Sequence, residues 1–348
     1  MTAFLGILTF FVILSVLVVA HELGHFTFAK LFKVRVDEFG VGFPPRVKGW
    51  RRGETLYSIN ALPLGGFVKM MGENGEEDSP SSFGAKPAWQ RFIILVAGPT
   101  MNLIVAILIL SFAFMAGVQR ESTVVTAVQK GTPAARAGLL PNDRIVAIGR
   151  SPVTYGDDLV SNVLNERGKV LRVQVQRGSR TLTFHVLARS HPPNGQGSFG
   201  IRLGATTTQH FSPAGAVGQS FDALGTMVAS IPTIFQNLAS PNSGQVEGPI
   251  GIAQVTTSTV QQAPRHGPSQ VFLLMALLSL NLGVLNLLPF PALDGGRIVF
   301  VLLSAMRRRN LDPQLEGAIH AAGMAFLLML IVLISYHDIV RWITGASS

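Results

Sequence analysis

The chain has no cysteine in its 348 residues. Disulfides, thiolate metal sites and cysteine nucleophiles are therefore excluded, and the redox compartment leaves no trace. Charge is scarce as well. Asp, Glu, Lys and Arg make up 14% of the residues, against about 25% in soluble domains. Residues 3–20 carry no charge at all, and neither do residues 92–118. Carboxylates are rare towards the C-terminus, where Asp294 is the only one between Glu247 and Asp312. With 48% hydrophobic residues and a mean hydropathy of +0.39, the composition is that of an integral membrane protein. The net charge of +9 fits basic loops beside membrane spans. No basic helix or stacking motif accompanies it, so no nucleic-acid partner is expected. The N-terminus has neither a positive leader nor a small-residue cleavage site, and reads as a retained first span.

Four segments are long and apolar enough to cross a bilayer: residues 3–29, 92–118, 271–293 and 318–336. Arg297, Arg307, Arg308 and Arg309 lie between the last two. Lys30, Lys33, Arg35, Arg46, Lys48, Arg51 and Arg52 follow the first. Both loops are expected to be cytoplasmic, which puts the termini and residues 119–267 outside. Residues 34–70 read as strand-rich, with Gly40–Pro45 as a turn or a backbone-exposing edge, and residues 72–86 as a mobile loop. In residues 120–190, strands are expected at Val124–Val128, Arg144–Ile148, Val170–Gln176 and Thr181–Leu187, with a short helix over Pro133–Gly138. Ser190–Gly200 reads as a linker. Residues 211–239 read as an interfacial amphipathic helix pair.

His21-Glu22-Leu23-Gly24-His25 closes the first apolar run. Ionisable groups there are costly, which points to function. Residues i and i+4 share a helix face, so His21 and His25 can offer two imidazoles to one zinc, with Glu22 placed to take a proton from water. A catalytic zinc needs a third protein ligand. Asp294 follows Asn286-Leu-Leu-Pro289-Phe-Pro291 at the end of the third apolar segment, at a matching depth. It is the candidate, and its bland alternative is a helix cap beside Arg297. The two prolines break that helix and free main-chain groups, as irregular backbone lining a cavity does. Asn286 is read as binding an extended substrate backbone. Asn102, in Gly98-Pro-Thr-Met-Asn102, is read either as packing or as hydrogen-bonding a metal-ligand neighbour or an unwound substrate strand. No metal role falls to the other histidines, and His320 is expected simply to face the interface.

These three motifs together resemble a site-2 protease, most similar to the bacterial regulator of sigma-E protease (RseP) group of zinc intramembrane metalloproteases. The resemblance implies a mainly α membrane protein of four transmembrane helices, a cytoplasmic-side membrane-reentrant β-loop and one extracytoplasmic PDZ-like α+β domain, in a bacterial inner membrane. It divides the chain into a first span (1–30), β-loop and cytoplasmic loop (31–91), second span (92–118), PDZ-like domain (119–190), linker and interfacial helices (191–267), third span (268–296), cytoplasmic loop (297–317) and last span (318–348). It implies zinc on His21, His25 and Asp294, with Glu22 as general base. Substrate contact is implied at Asn286, Pro289 and Pro291, and along Gly40, Val41, Gly42 and Phe43, with Asn102 as a further candidate. Gly138–Ile145 matches a PDZ signature except that Asn142 replaces a glycine, which a positive φ tolerates. The implied substrates are single-span membrane proteins, such as anti-sigma factors and signal-peptide remnants, after a first extracytoplasmic cut. Two rival readings stay open: a non-catalytic membrane PDZ binding protein with a structural metal, and a metal transporter. Neither needs a glutamate between the histidines.

Overall fold

The computed structural model describes residues 2–73, 79–193, 196–238, 248–307 and 312–344. The expected loop at 72–86 lies partly outside them, as do Arg308 and Arg309. The chain divides into two compact units, residues 1–116 with 212–348, and Gly117–Phe211.

In the first unit, four helices are long and apolar enough to cross a membrane: Leu8–Leu31, Ala88–Ala116, Ser269–Asn286 and Gln314–Val340. They belong to α1 (Thr2–Leu31), α2 (Ala88–Ala116), α7 (Ser269–Asn286) and α9 (Pro313–Thr344). The chain is a membrane protein with four candidate apolar helices and substantial β-structure. Between α1 and α2 lies a long irregular hairpin, β1 (Val36–Arg52) and β2 (Thr55–Met70). It folds on itself, so that Phe39 pairs with both Tyr57 and Val68, and Gly40 with both Ser58 and Phe67. Its inner end joins a core of Ala29, Val34, Val36, Met70, Ile94 and Val301.

The third span was expected to run to residue 293. Helix α7 instead stops at Asn286, residues 287–293 turn back, and α8 (Asp294–Arg307) begins at the aspartate. Pro289 and Pro291 lack the N–H a helix needs and disfavour helical backbone before them. Most of the loop expected at 297–317 is thus helix α8. Ala292 takes the left-handed φ of 79°, and its N–H donates to His320 Nδ1 at 2.9 Å. His320 therefore braces this turn rather than merely facing the interface.

Two further helices precede α7. The pair expected over 211–239 is one unbroken helix, α5 (Pro213–Leu238). Gly218 and Gly225 do not split it, because a glycine costs only about 1 kcal/mol in a helix and α5 packs on α2 through a Ser111–Ser220 hydroxyl contact of 3.0 Å. Helix α6 (Pro249–His266) has its first turn held by the buried Asp338, whose Oδ2 accepts from Gly251 N–H at 3.0 Å.

The second unit is an antiparallel sheet in the order β7-β6-β4-β3-β8, with β5 on β4. Its strands are β3 (Val118–Val128), β4 (Arg144–Ile148), β5 (Ser151–Pro152), β6 (Val170–Arg177), β7 (Arg180–Leu187) and β8 (Ile201–Gln209). Helices α3 (Pro133–Ala137) and α4 (Gly156–Asn165) complete it. Alternate residues of β6, Leu171, Val173 and Val175, join Val125, Ile145 and Val186 in the core, the pattern of a strand with one buried face. Asn142 does adopt a positive φ, 72°. The neighbouring Asp143 is fully buried. Burial alone would raise its pKa. Hydrogen bonds from Arg177 at 2.6 and 2.8 Å and from Leu140 N–H at 2.9 Å outweigh that and hold the carboxyl below its ordinary range. The unit does not end at residue 190. Strand β8 pairs with β3 from Val118–Gln209 to Val128–Ile201. Its partner is remote in sequence and its threonines blur the apolar alternation, so nothing local marks it as part of this sheet.

Candidate active site

Helix α1 carries His21 and His25 on the face it presents to α2. Both are buried, at 5% exposure. The two helices meet closely: a Cβ on Gly24 would lie 2.4 Å from the Ala97 carbonyl oxygen, and one on Gly98 would lie 2.2 Å from His25 Nε2. Only glycine fits at that crossing. It lets His25 Nδ1–H donate to the Ile94 carbonyl at 2.8 Å, which fixes the tautomer and leaves Nε2 with its lone pair.

Asn102, from the next turn of α2, is fully buried. Its amide nitrogen stands 3.1 Å from His21 Nδ1, while its Oδ1 has no hydrogen-bond partner. Turning the amide over lets Oδ1 accept from Nδ1–H, so that Nε2 of His21 is also free to ligate. A side chain enclosed in this way cannot reach a substrate strand. Of the alternatives open for Asn102, the geometry matches the hydrogen bond to a ligand neighbour, His21, and not the contact with a substrate strand. Asn102→Leu is expected to weaken zinc binding about 10–100-fold, the usual loss when such a support is removed. Zinc occupancy across a series of buffered zinc concentrations measures it, and unchanged occupancy would contradict the assignment.

The third group arrives from α8. Asp294 Oδ2 lies 3.0 Å from His21 Nε2 and 3.3 Å from His25 Nε2, and the two Nε2 atoms are 3.1 Å apart. Three electron-rich atoms so close repel one another unless a cation lies among them, and one proton can bridge only one pair. Oδ2 is buried and accepts no hydrogen bond. Tetrahedral zinc with ligands at 2.0–2.1 Å sets ligand separations of about 3.3 Å. The residues therefore fit a zinc ion, and His21, His25 and Asp294 form the one such group of ligating side chains among the described residues.

Glu22 is half-buried on the adjacent face of α1. Strand β2 passes over it: a Cβ on Gly66 would lie 3.7 Å from Glu22 Cγ, and the Val68 main chain hydrogen-bonds the carboxylate. Arg297 is a charged neighbour.

The remaining candidates divide. Asn286 is half-buried at the end of α7 and makes no side-chain hydrogen bond among the described residues. Pro289 is exposed in the turn. Pro291 packs on α9 at Gly323, where a Cβ would come within 2.5 Å of its ring. Phe43 is 44% exposed and stacks on Phe67. Gly42 turns the chain with φ 79°. Gly40 and Val41, however, are hydrogen-bonded on both sides, so they cannot offer a free edge. Residues 66–70 lie beside Glu22 and, among the described residues, pair with a strand on one side only. The signal missed was Gly65-Gly66, which reads as a break yet lets the strand lie against α1. The Ile94 carbonyl, like any main-chain acceptor, has no side-chain signature.

The model of "Peptidase family M50" matches residues 9–330. A Clostridium perfringens protein named "Putative zinc metalloprotease CPE1693" is 32% identical over 94% of this chain and 96% of its own length. "Regulator of sigma-W protease RasP" of Bacillus subtilis is 28% identical over 96% and 98%. "Zinc metalloprotease RasP" of Oceanobacillus iheyensis is 29% identical over 96% and 99%. The HExxH helix, the aspartate that completes its ligand set and the length of these matches agree: the chain belongs to peptidase family M50, the site-2 proteases, and is a zinc-dependent metalloprotease.

Proposed function

We propose that the protein cuts the transmembrane helix of single-span membrane proteins near its cytoplasmic end, in a bacterial inner membrane, after a first cut outside has trimmed the substrate. The observation that carries this reading is the convergence of three buried ligand atoms, drawn from opposite ends of the chain, at the end of an apolar helix. His21, His25 and Asp294 hold the ion in this reading. When bound, zinc supplies Lewis acidity to water and to the scissile carbonyl at the remaining coordination position.

Glu22 takes a proton from the attacking water. The water oxygen bonds to the carbonyl carbon, the C–N bond breaks, and Glu22 returns the proton to the departing amine. A peptide bond within a helix is shielded, so the substrate unwinds locally. The outer side of residues 66–70 takes the unwound strand by β-addition once Glu22 releases the Val68 main chain, and Asn286 and Pro289 are further substrate contacts in this reading. Anti-sigma factors and signal-peptide remnants are the substrates that the family resemblance favours.

The second unit serves in this reading as a PDZ-like size filter facing outside. Its support is the Gly138–Ile145 signature at the α3–β4 turn, and an apolar groove lined by Leu159, Val163, Phe199, Ile201 and Leu203 with Arg167.

The test is cleavage of a single-span substrate with a shortened outer segment, by full-length protein in lipid nanodiscs. Cleavage is expected to stop after dialysis against a chelator and to return with added zinc. Persistent cutting by metal-free protein would refute the reading.

A further inference from the structure

Arg297 follows Asp294 by one turn of α8, so it rises from the same face as the third ligand. Its guanidinium forms an ion pair with Glu73. Glu73 lies just past the end of β2, and its other carboxylate oxygen accepts from the Met70 N–H at 3.3 Å. This is the one ion pair among the described residues that joins the hairpin to α8. Glu22 and Glu316 are the other acidic neighbours of the guanidinium.

What it holds is the outer strand of the hairpin. Residues 66–70 pair with β1 on one side only, and they run directly over Glu22. Inner pairing fixes the spacing of that strand from β1. The ladder is regular from Val41–Gly66 to Glu38–Lys69 and shifts once, between Glu38 and Val36, so it holds the strand least at its Met70 end, where Glu73 follows. Helix α8, by contrast, is anchored. Val301 is buried in the core, and a Cβ on Gly295 would lie 2.1 Å from the Leu288 carbonyl oxygen. A rigid element bearing Asp294 is thereby tied to the irregular end of that strand.

We propose that Arg297 is a positioning residue: through Glu73 it holds the 66–70 edge in register with Glu22 and Asp294, and so sets which substrate bond meets the catalytic groups. This rests on the protease reading above. A role in stability alone would lower the amount of active protein without moving the cut. Loss of register would move the cut and lower turnover, because a misplacement of about 1 Å can cost a hundredfold in rate.

The experiment compares wild type, Arg297→Lys, Arg297→Gln, Glu73→Gln and the Arg297→Gln/Glu73→Gln double variant, as full-length zinc-loaded protein in nanodiscs. Mass spectrometry locates the product ends from a single-span substrate, and hydrogen exchange follows the amides of residues 66–70. Expected results are about a ten- to hundredfold fall in kcat for each Gln variant, KM within about twofold, and cuts spread to neighbouring bonds. The double variant should be no worse than the singles, Arg297→Lys should retain the wild-type cut, and the edge amides should exchange about tenfold faster in Arg297→Gln. An unchanged cut position, additive losses, loss of zinc from the Gln variants or unchanged edge exchange would each overturn the proposal. If wild type fails to cut while edge exchange still responds to Arg297→Gln, the protease reading fails and the tether stands.

Discussion

Glu22→Gln is expected to lower cleavage by about 10²–10⁴-fold, the range supplied by a positioned general base, while the zinc content stays that of wild type. Glutamine keeps the shape of the side chain beside Gly66 and Val68, so α1 and the hairpin are not disturbed. It leaves the ligand atoms of His21, His25 and Asp294 untouched. What it removes is the only group on this face of α1 able to accept a proton from water and return it. Binding of substrate along residues 66–70 should survive, so KM should move far less than kcat. The measurement pairs metal analysis with single-turnover cleavage of a single-span substrate. A zinc-loaded variant that still cut within tenfold of wild type would remove Glu22 from the reaction and revive a binding or transport role for the metal site.

Much of this site is legible in the residues because its chemistry is crowded into helical spacing. His21 and His25 announce a shared face, and an apolar neighbourhood makes them conspicuous. Asp294 is legible because it stands alone among apolar residues. The prolines mark a broken helix, though not that the chain doubles back to restart α8 at the aspartate. The less legible parts are those that depend on pairing between distant segments. Gly40 and Val41 have the composition of an exposed edge, but the hairpin folds back and covers both their sides. The one-sided strand, residues 66–70, is hidden behind a Gly-Gly pair that normally marks a break. Strand β8 is missed for the same reason, since its identity lies in its partner β3 and not in its own pattern. By sequence His320 and Arg297 are an interface residue and a loop residue. A single polar side chain carries no mark of the main-chain N–H or carboxylate it will meet.

Asp294→Asn isolates charge from shape and is expected to cost roughly a thousandfold in zinc affinity. A unit charge pair at 4 Å contributes about 4 kcal/mol at an effective dielectric of 20, close to three powers of ten in affinity. The substitution removes that charge, and its amide N–H groups can donate to the very Nε2 lone pairs a cation would use. The fold has little reason to respond. Asparagine starts a helix as well as aspartate does, and the turn before α8 is held by the Ala292–His320 hydrogen bond and by the packing of Pro291 on Gly323. Occupancy measured against buffered zinc should therefore fall much further than for Asn102→Leu, with α8 still protected from hydrogen exchange. Equal losses in the two variants would mean that Asp294 only orients the histidines, as Asn102 does, and a different third ligand would have to be sought. Retained zinc would place the carboxylate outside the coordination shell altogether, and the 3.0 Å contact with His21 would then be an ordinary ion pair.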